Sequence, residues 1–82
     1  MRLDKYLKVS RIIKRRTVAN EACTNSHVEV NGRIVKPSYD LKIGDVVTVS
    51  FGEKTLSFRV LGLDEKTRKE KAQEMYEVIS QN

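Results

Sequence analysis

The sequence predicts an α+β fold in which two short N-terminal helices pack on a small, mostly antiparallel sheet and an amphipathic helix closes the chain. Three observations carry this expectation. Apolar residues recur at helical spacing near the N-terminus, and they alternate through the middle of the chain. An Asn31-Gly32 pair stands between two of the alternating runs, where tolerance of positive φ sets a tight hairpin. At 82 residues the chain is expected to be one domain with a modest core. Residues 1–62 would form the main unit, and residues 63–82 a helix packed on it or projecting from it.

Leu3, Tyr6 and Leu7 stand at i, i+3 and i+4, the apolar stripe of a short first helix, with Arg2, Lys5 and Lys8 falling away from it. Asp4 lies in the first turn, where a carboxylate suits the positive end of the helix dipole. Ser10 is a turn or cap residue, so the chain should break between Val9 and Ile12. A second helix is expected from Lys14 or Arg15 to Thr24, burying Val18, Ala19, Ala22 and Cys23. Arg15 and Arg16 in its first turn would oppose the dipole, a cost of ~0.3 to 1 kcal/mol per charge that a bound phosphate relieves.

His27 to Val30 alternates before the Asn31-Gly32 turn, and Arg33 to Val35 returns. Pro37 has no N–H to donate and stops the pairing. After an irregular stretch and a Gly44-Asp45 turn, Val46 to Phe51 is β-branched with Val47, Val49 and Phe51 on one face. Gly52 to Lys54 turns the chain, and Thr55 to Leu61 follows with Leu56, Phe58 and Val60 inward. From Asp64, Ala72, Met75, Tyr76 and Ile79 repeat at i, i+3, i+4 and i+7, which predicts the closing helix.

The charge is localised. Arg2 to Arg16 carries seven cations (Arg2, Lys5, Lys8, Arg11, Lys14, Arg15, Arg16) against Asp4, whereas the whole chain sums to +5. Like charges so concentrated repel one another, and a phosphate backbone is their natural partner. Arginine's planar fork takes phosphate bidentately. Enzyme chemistry finds little to work with. There is one His and one Cys, and neither metal-ligand spacing nor a phosphate-cradling glycine motif occurs. Cys23 is expected in the core and His27 at a strand start. The protein is therefore expected to be non-enzymatic, with no cofactor and no metal. No apolar run approaches the ~18 to 20 residues of a membrane span and no signal-peptide core follows the N-terminus, so a cytoplasmic, membrane-free protein is expected.

The order R-L-D-K-Y-L, S-R, K-R-R, V-x-V-N-G and K-P-S resembles the S4 RNA-binding domain. Within it the sequence is similar to the small stand-alone group that includes the heat-shock protein 15 and ribosome-associated quality control protein P families. The resemblance implies the S4-type (alpha-L) fold. It implies binding to the 23S rRNA of the split large (50S) ribosomal subunit and to peptidyl-tRNA. It further implies help to a quality-control tailing factor that extends stalled chains with alanine. Arg2, Asp4, Arg11, Lys14 and Arg16 occupy the positions of the family's R-x-D and R-x-x-K-x-R patterns. Arg15, Lys5, Lys8 and Lys36 are counted with the RNA-binding set. Asp4 is expected to orient Arg2, Arg11 or a neighbouring cation, and Asn31 and Gly32 to form the hairpin turn. Tyr6 replaces a frequent Trp and brings a hydroxyl that needs a partner.

Such a module should read backbone shape with little sequence preference and strong salt dependence, and it is expected to be a monomer when free. Two alternatives stay open. Two short helices joined near Ser10 can imitate the helix-turn-helix of a DNA-binding regulator. A projecting C-terminal helix or the His27 to Val35 hairpin would suit a protein-interaction adaptor.

Overall fold

The computed structural model describes residues 1–13, 27–51 and 54–81. Helix α1, Leu3–Val9, forms where the spacing predicts and buries Leu3, Tyr6 and Leu7, together with Asp4. Its first turn has no side-chain cap, for Arg2 at the N-cap makes no capping bond. The donors that a helix start leaves orphaned are satisfied from elsewhere. The Leu3 N–H donates to the Tyr39 carbonyl (2.8 Å) and the Asp4 N–H to the Pro37 carbonyl (3.1 Å). The Lys5 N–H donates to the Asp4 carboxylate (2.8 Å). Arg2 and Asp40 add an isolated antiparallel bridge. The Met1 ammonium lies 2.9 Å from the Asp40 carboxylate, and its hydrogen bond and charge hold that carboxyl below the usual range.

α1 ends at Val9, inside the expected break. Arg11 takes the left-handed conformation (φ 66°), the chain reverses, and the Ile13 N–H reaches the Leu7 carbonyl at 3.0 Å. That reversal drops Ile13 into the core. The second helix expected between Lys14 and Thr24, with Cys23 on its buried face, lies outside the described residues.

Among the described residues the strands are β1 (Val28–Val30), β2 (Arg33–Ile34), β3 (Val46–Phe51), β4 (Lys54–Val60) and β5 (Tyr76–Gln81). They form one five-stranded sheet in the order β2-β1-β3-β4-β5, with every neighbouring pair antiparallel. Asn31 (φ 52°) and Gly32 (φ 82°) make the β1–β2 turn, as their tolerance of positive φ requires. Asn31 also locks the turn to β3: its N–H donates to the Val46 carbonyl (2.7 Å) and its side-chain oxygen accepts from the Val46 N–H (3.0 Å). Val28, Val30, Val47, Val49, Phe58 and Val60 are buried against Leu3, Tyr6, Leu7, Leu41 and Met75. Between them the strands present polar residues such as Thr48 and Ser57, whose hydroxyls meet at 3.0 Å. Alternation along the strands thus gives one core face and one polar face.

The closing helix is corrected by the structure. Lys69–Met75 is a 3-10 helix, and Tyr76–Gln81 is a fifth strand, β5, paired along β4. The reason is the sheet edge. Without β5, the outer edge of β4 would present a row of unpaired N–H and C=O groups. The Tyr-Glu-Val-Ile sequence also has aromatic and β-branched residues that favour a strand. The pairing shifts register between Ser57 and Phe58, leaving Ile79 without a cross-strand partner in a bulge. Ala72 and Met75 are buried as their spacing suggested, while Ile79, expected on the packed face, is half exposed.

Candidate nucleic-acid interface

Among the described residues, the N-terminal cations divide around α1 into two groups. At the start of the helix, Arg2 donates from Nε and Nη2 to the two oxygens of Asp4, both at 3.2 Å. Asp4 is 2% exposed and the Arg2 side chain 51%. A buried carboxylate is tolerated only when paired and hydrogen-bonded, and Asp4 receives both Arg2 and the Lys5 N–H. The guanidinium is thereby held in one orientation, and its remaining N–H groups are left for an anion in solvent. Lys36 is exposed in the turn closed by the Tyr39 N–H to the Lys36 carbonyl. Because Pro37 and Tyr39 accept from the first turn of α1, that turn sits at the Arg2 end of the helix.

Further along, Lys5 Nζ lies 3.1 Å from Glu65. Lys8, Val9, Arg11, Glu65 and Thr67 line one open depression of about 330 Å³. Lys5 therefore pairs with Glu65, and Lys8 and Arg11 line the same depression as that acid. Lys14, Arg15 and Arg16 lie outside the described residues. Asn31 and Gly32 shape the hairpin rather than present charge.

Glu65 is a residue that the apolar spacing of the closing segment does not single out. Asp64 does cap locally, accepting from the Lys66 N–H at 2.9 Å while its carbonyl takes the Thr67 hydroxyl at 2.7 Å. Glu65 instead crosses to α1, a long-range contact that carries no local signal. The Tyr6 hydroxyl finds its partner too: it donates to the Met75 carbonyl at 2.6 Å. Burial, and to a lesser degree nearby Tyr76, pushes its pKa well above the ordinary phenol range. Tyr6, Phe58 and Tyr76 form a run of rings, with centroids 6.1 Å apart in the stacked Tyr6–Phe58 pair and 5.5 Å in the edge-on Phe58–Tyr76 pair.

Among the described residues no cluster of His, Cys, Asp and Glu could hold a metal ion, and no helix is long and apolar enough to cross a membrane.

Residues 1–47 match the S4 domain model. The chain is 56% identical over 81 residues to the RQC P-site tRNA stabilizing factor of Streptococcus pneumoniae, covering 99% of this chain and 92% of that one. It is 48% identical to the protein of the same name from Listeria monocytogenes, covering 99% and 88%. Its structure superimposes on the heat shock protein 15 of Vibrio cholerae, described as trimeric, with a TM-score of 0.90 and 28% identity, over 98% of this chain and 82% of that one. A domain match that runs from the helix start through the hairpin to the first residues of β3, and near whole-length similarity to these relatives, lead to one conclusion: the chain belongs to the S4 domain family, in the branch of the proteins named RQC P-site tRNA stabilizing factor.

Proposed function

We propose that this protein is a non-enzymatic RNA-binding factor of ribosome-associated quality control that holds tRNA on the ribosome. The observation that carries this reading is the half-exposed Arg2 guanidinium fixed by buried Asp4, in the segment that matches the S4 domain, in a chain whose relatives are named for P-site tRNA. In the finer reading, the protein binds the split 50S subunit carrying peptidyl-tRNA. It touches 23S rRNA and tRNA through their phosphates and assists a factor that adds alanine tails. Arg2, Lys5, Lys8, Arg11, Lys14, Arg15, Arg16 and Lys36 supply the cationic contacts, and Asp4 is the orienting acid. The protein works in the cytoplasm and is monomeric until it meets RNA. An adaptor using a C-terminal helix is set aside, since that segment is a 3-10 helix and a strand.

RNA helices offer side chains their phosphates and 2′-hydroxyls more readily than their base edges. Each cation that meets a phosphate should then lower the slope of log affinity against log salt by ~1 when replaced by Ala. The test is cosedimentation with split large subunits carrying peptidyl-tRNA, comparing the parent chain with Arg2→Ala and Arg16→Ala at matched thermal stability. Binding by the parent, weakened in both variants and increasingly so with salt, supports the reading. Preference for duplex DNA over ribosomal RNA, or salt-insensitive association, overturns it.

A further inference from the structure

The hairpin edge of the sheet holds a feature that phosphate contacts leave unused. Val30, Asn31, Arg33, Val35 and Tyr39 line an open depression of about 380 Å³, within the ~300 to 1,000 Å³ range of small-ligand sites. The cross-strand pair Val30–Arg33 sets Arg33 on the sheet face of buried Val30, the face that α1 covers. Val30 and Val35 supply an apolar floor, and Tyr39, 36% exposed, a flat wall. The Asn31 side chain is committed to Val46 and Asp45. Tyr39 and Arg33 are not committed: neither side chain has a hydrogen bond, ion pair or ring contact among the described residues. The depression adjoins the Arg2 end of α1, because the Tyr39 carbonyl accepts the Leu3 N–H and Arg2 bridges Asp40. Lys36 lies in the same turn.

A phosphate alone would have no use for an apolar floor and an aromatic wall, and an apolar peptide would leave Arg33 and Lys36 unmatched. A flat, polar-edged ring attached to a phosphate uses all of them. We infer that this depression takes one unpaired nucleobase of the bound RNA, stacked on Tyr39, with Arg33 at its edge or its flanking phosphate and the backbone continuing toward Arg2. The inference rests on the reading that the Arg2 surface binds RNA, and it adds selection for a bulged or looped nucleotide beside a helix.

Two RNAs test it: a fully paired duplex, and the same duplex with one bulged fluorescent purine analogue. The wild-type protein should bind the bulged RNA roughly fivefold to a hundredfold more tightly, the range expected of one base–aromatic stack, and should quench the analogue. Tyr39→Ala should abolish preference and quenching while duplex binding persists. Tyr39→Phe should retain both, and matched melting curves for the two variants exclude a folding effect. Arg2→Ala should weaken binding to both RNAs alike. Equal binding of the two RNAs by the wild type, or a preference that survives Tyr39→Ala, overturns the nucleobase site and leaves the phosphate reading standing. Binding to neither RNA overturns both.

Discussion

Leu3 to Leu7 and Ala72 to Ile79 carry the same apolar spacing, yet one is a helix and the other runs from a 3-10 turn into a strand. The difference lies in their surroundings. α1 has its first-turn N–H groups met by Tyr39, Pro37 and its own Asp4, and it lays its stripe on the sheet as a helix should. The C-terminal segment passes beside the open edge of β4, where a helix would satisfy its own backbone and leave that of β4 unpaired. A strand satisfies both. In the C-terminal segment the periodicity marks Ala72 and Met75 as buried but fails at Ile79, and it does not identify the backbone that carries them.

The two regions meet at Phe58, whose ring lies between Tyr6 of α1 and Tyr76 of β5. Phe58→Ala should therefore have the largest effect, a loss of about 3 to 5 kcal/mol. In urea unfolding, the fluorescence of the tyrosines and the backbone dichroism should fall together at a lower midpoint. Separate transitions would show that the regions are independent.

Tyr6→Phe removes the hydroxyl bond to Met75, whose carbonyl also accepts from the Leu61 and Gly62 N–H groups, so a loss of about 0.5 to 1.5 kcal/mol is expected. Its pH signature is more telling. The folded pKa of Tyr6 is raised, so the unfolded chain loses its phenolic proton first. That part of the stability is present below the ordinary tyrosine value of about 10 and is lost as pH rises beyond it. Urea midpoints measured through that range should fall more steeply for the parent than for Tyr6→Phe.

Replacing Val78 and Ile79 by Ala separates helix from strand most directly. Both changes raise helix propensity, so a terminal helix would be stabilised. In a strand they should cost up to about 1 kcal/mol each, read from the urea midpoint.

At the far end of α1, Arg11→Gly relieves a left-handed arginine, worth ~1 to 2 kcal/mol, against ~0.5 to 1 kcal/mol of added chain entropy. Thermal stability should hold or rise slightly while RNA affinity falls, which separates strain from binding at one residue. The smallest effect belongs to Glu65→Gln. The Lys5–Glu65 pair is partly exposed, so stability should change by less than about 1 kcal/mol. RNA affinity should rise at low salt, because an acid leaves the cluster of Lys5, Lys8 and Arg11.

The sequence by itself determined the elements whose signals are local. Leu3, Tyr6 and Leu7 marked α1, Asn31-Gly32 the hairpin, and the alternation from Val46 to Val60 the two long strands, since side-chain period and turn chemistry act over a few residues. The concentration of cations before Thr17 was legible for the same reason. Only the tertiary structure decided what depends on residues remote in sequence. The edge of β4 made Tyr76–Gln81 a strand, the loop at Pro37 and Tyr39 supplied the helix cap that Arg2 lacks, and Glu65 joined the cations of α1. Unpaired backbone groups and buried charges must find partners wherever the fold brings them, and no window of neighbouring residues contains that information.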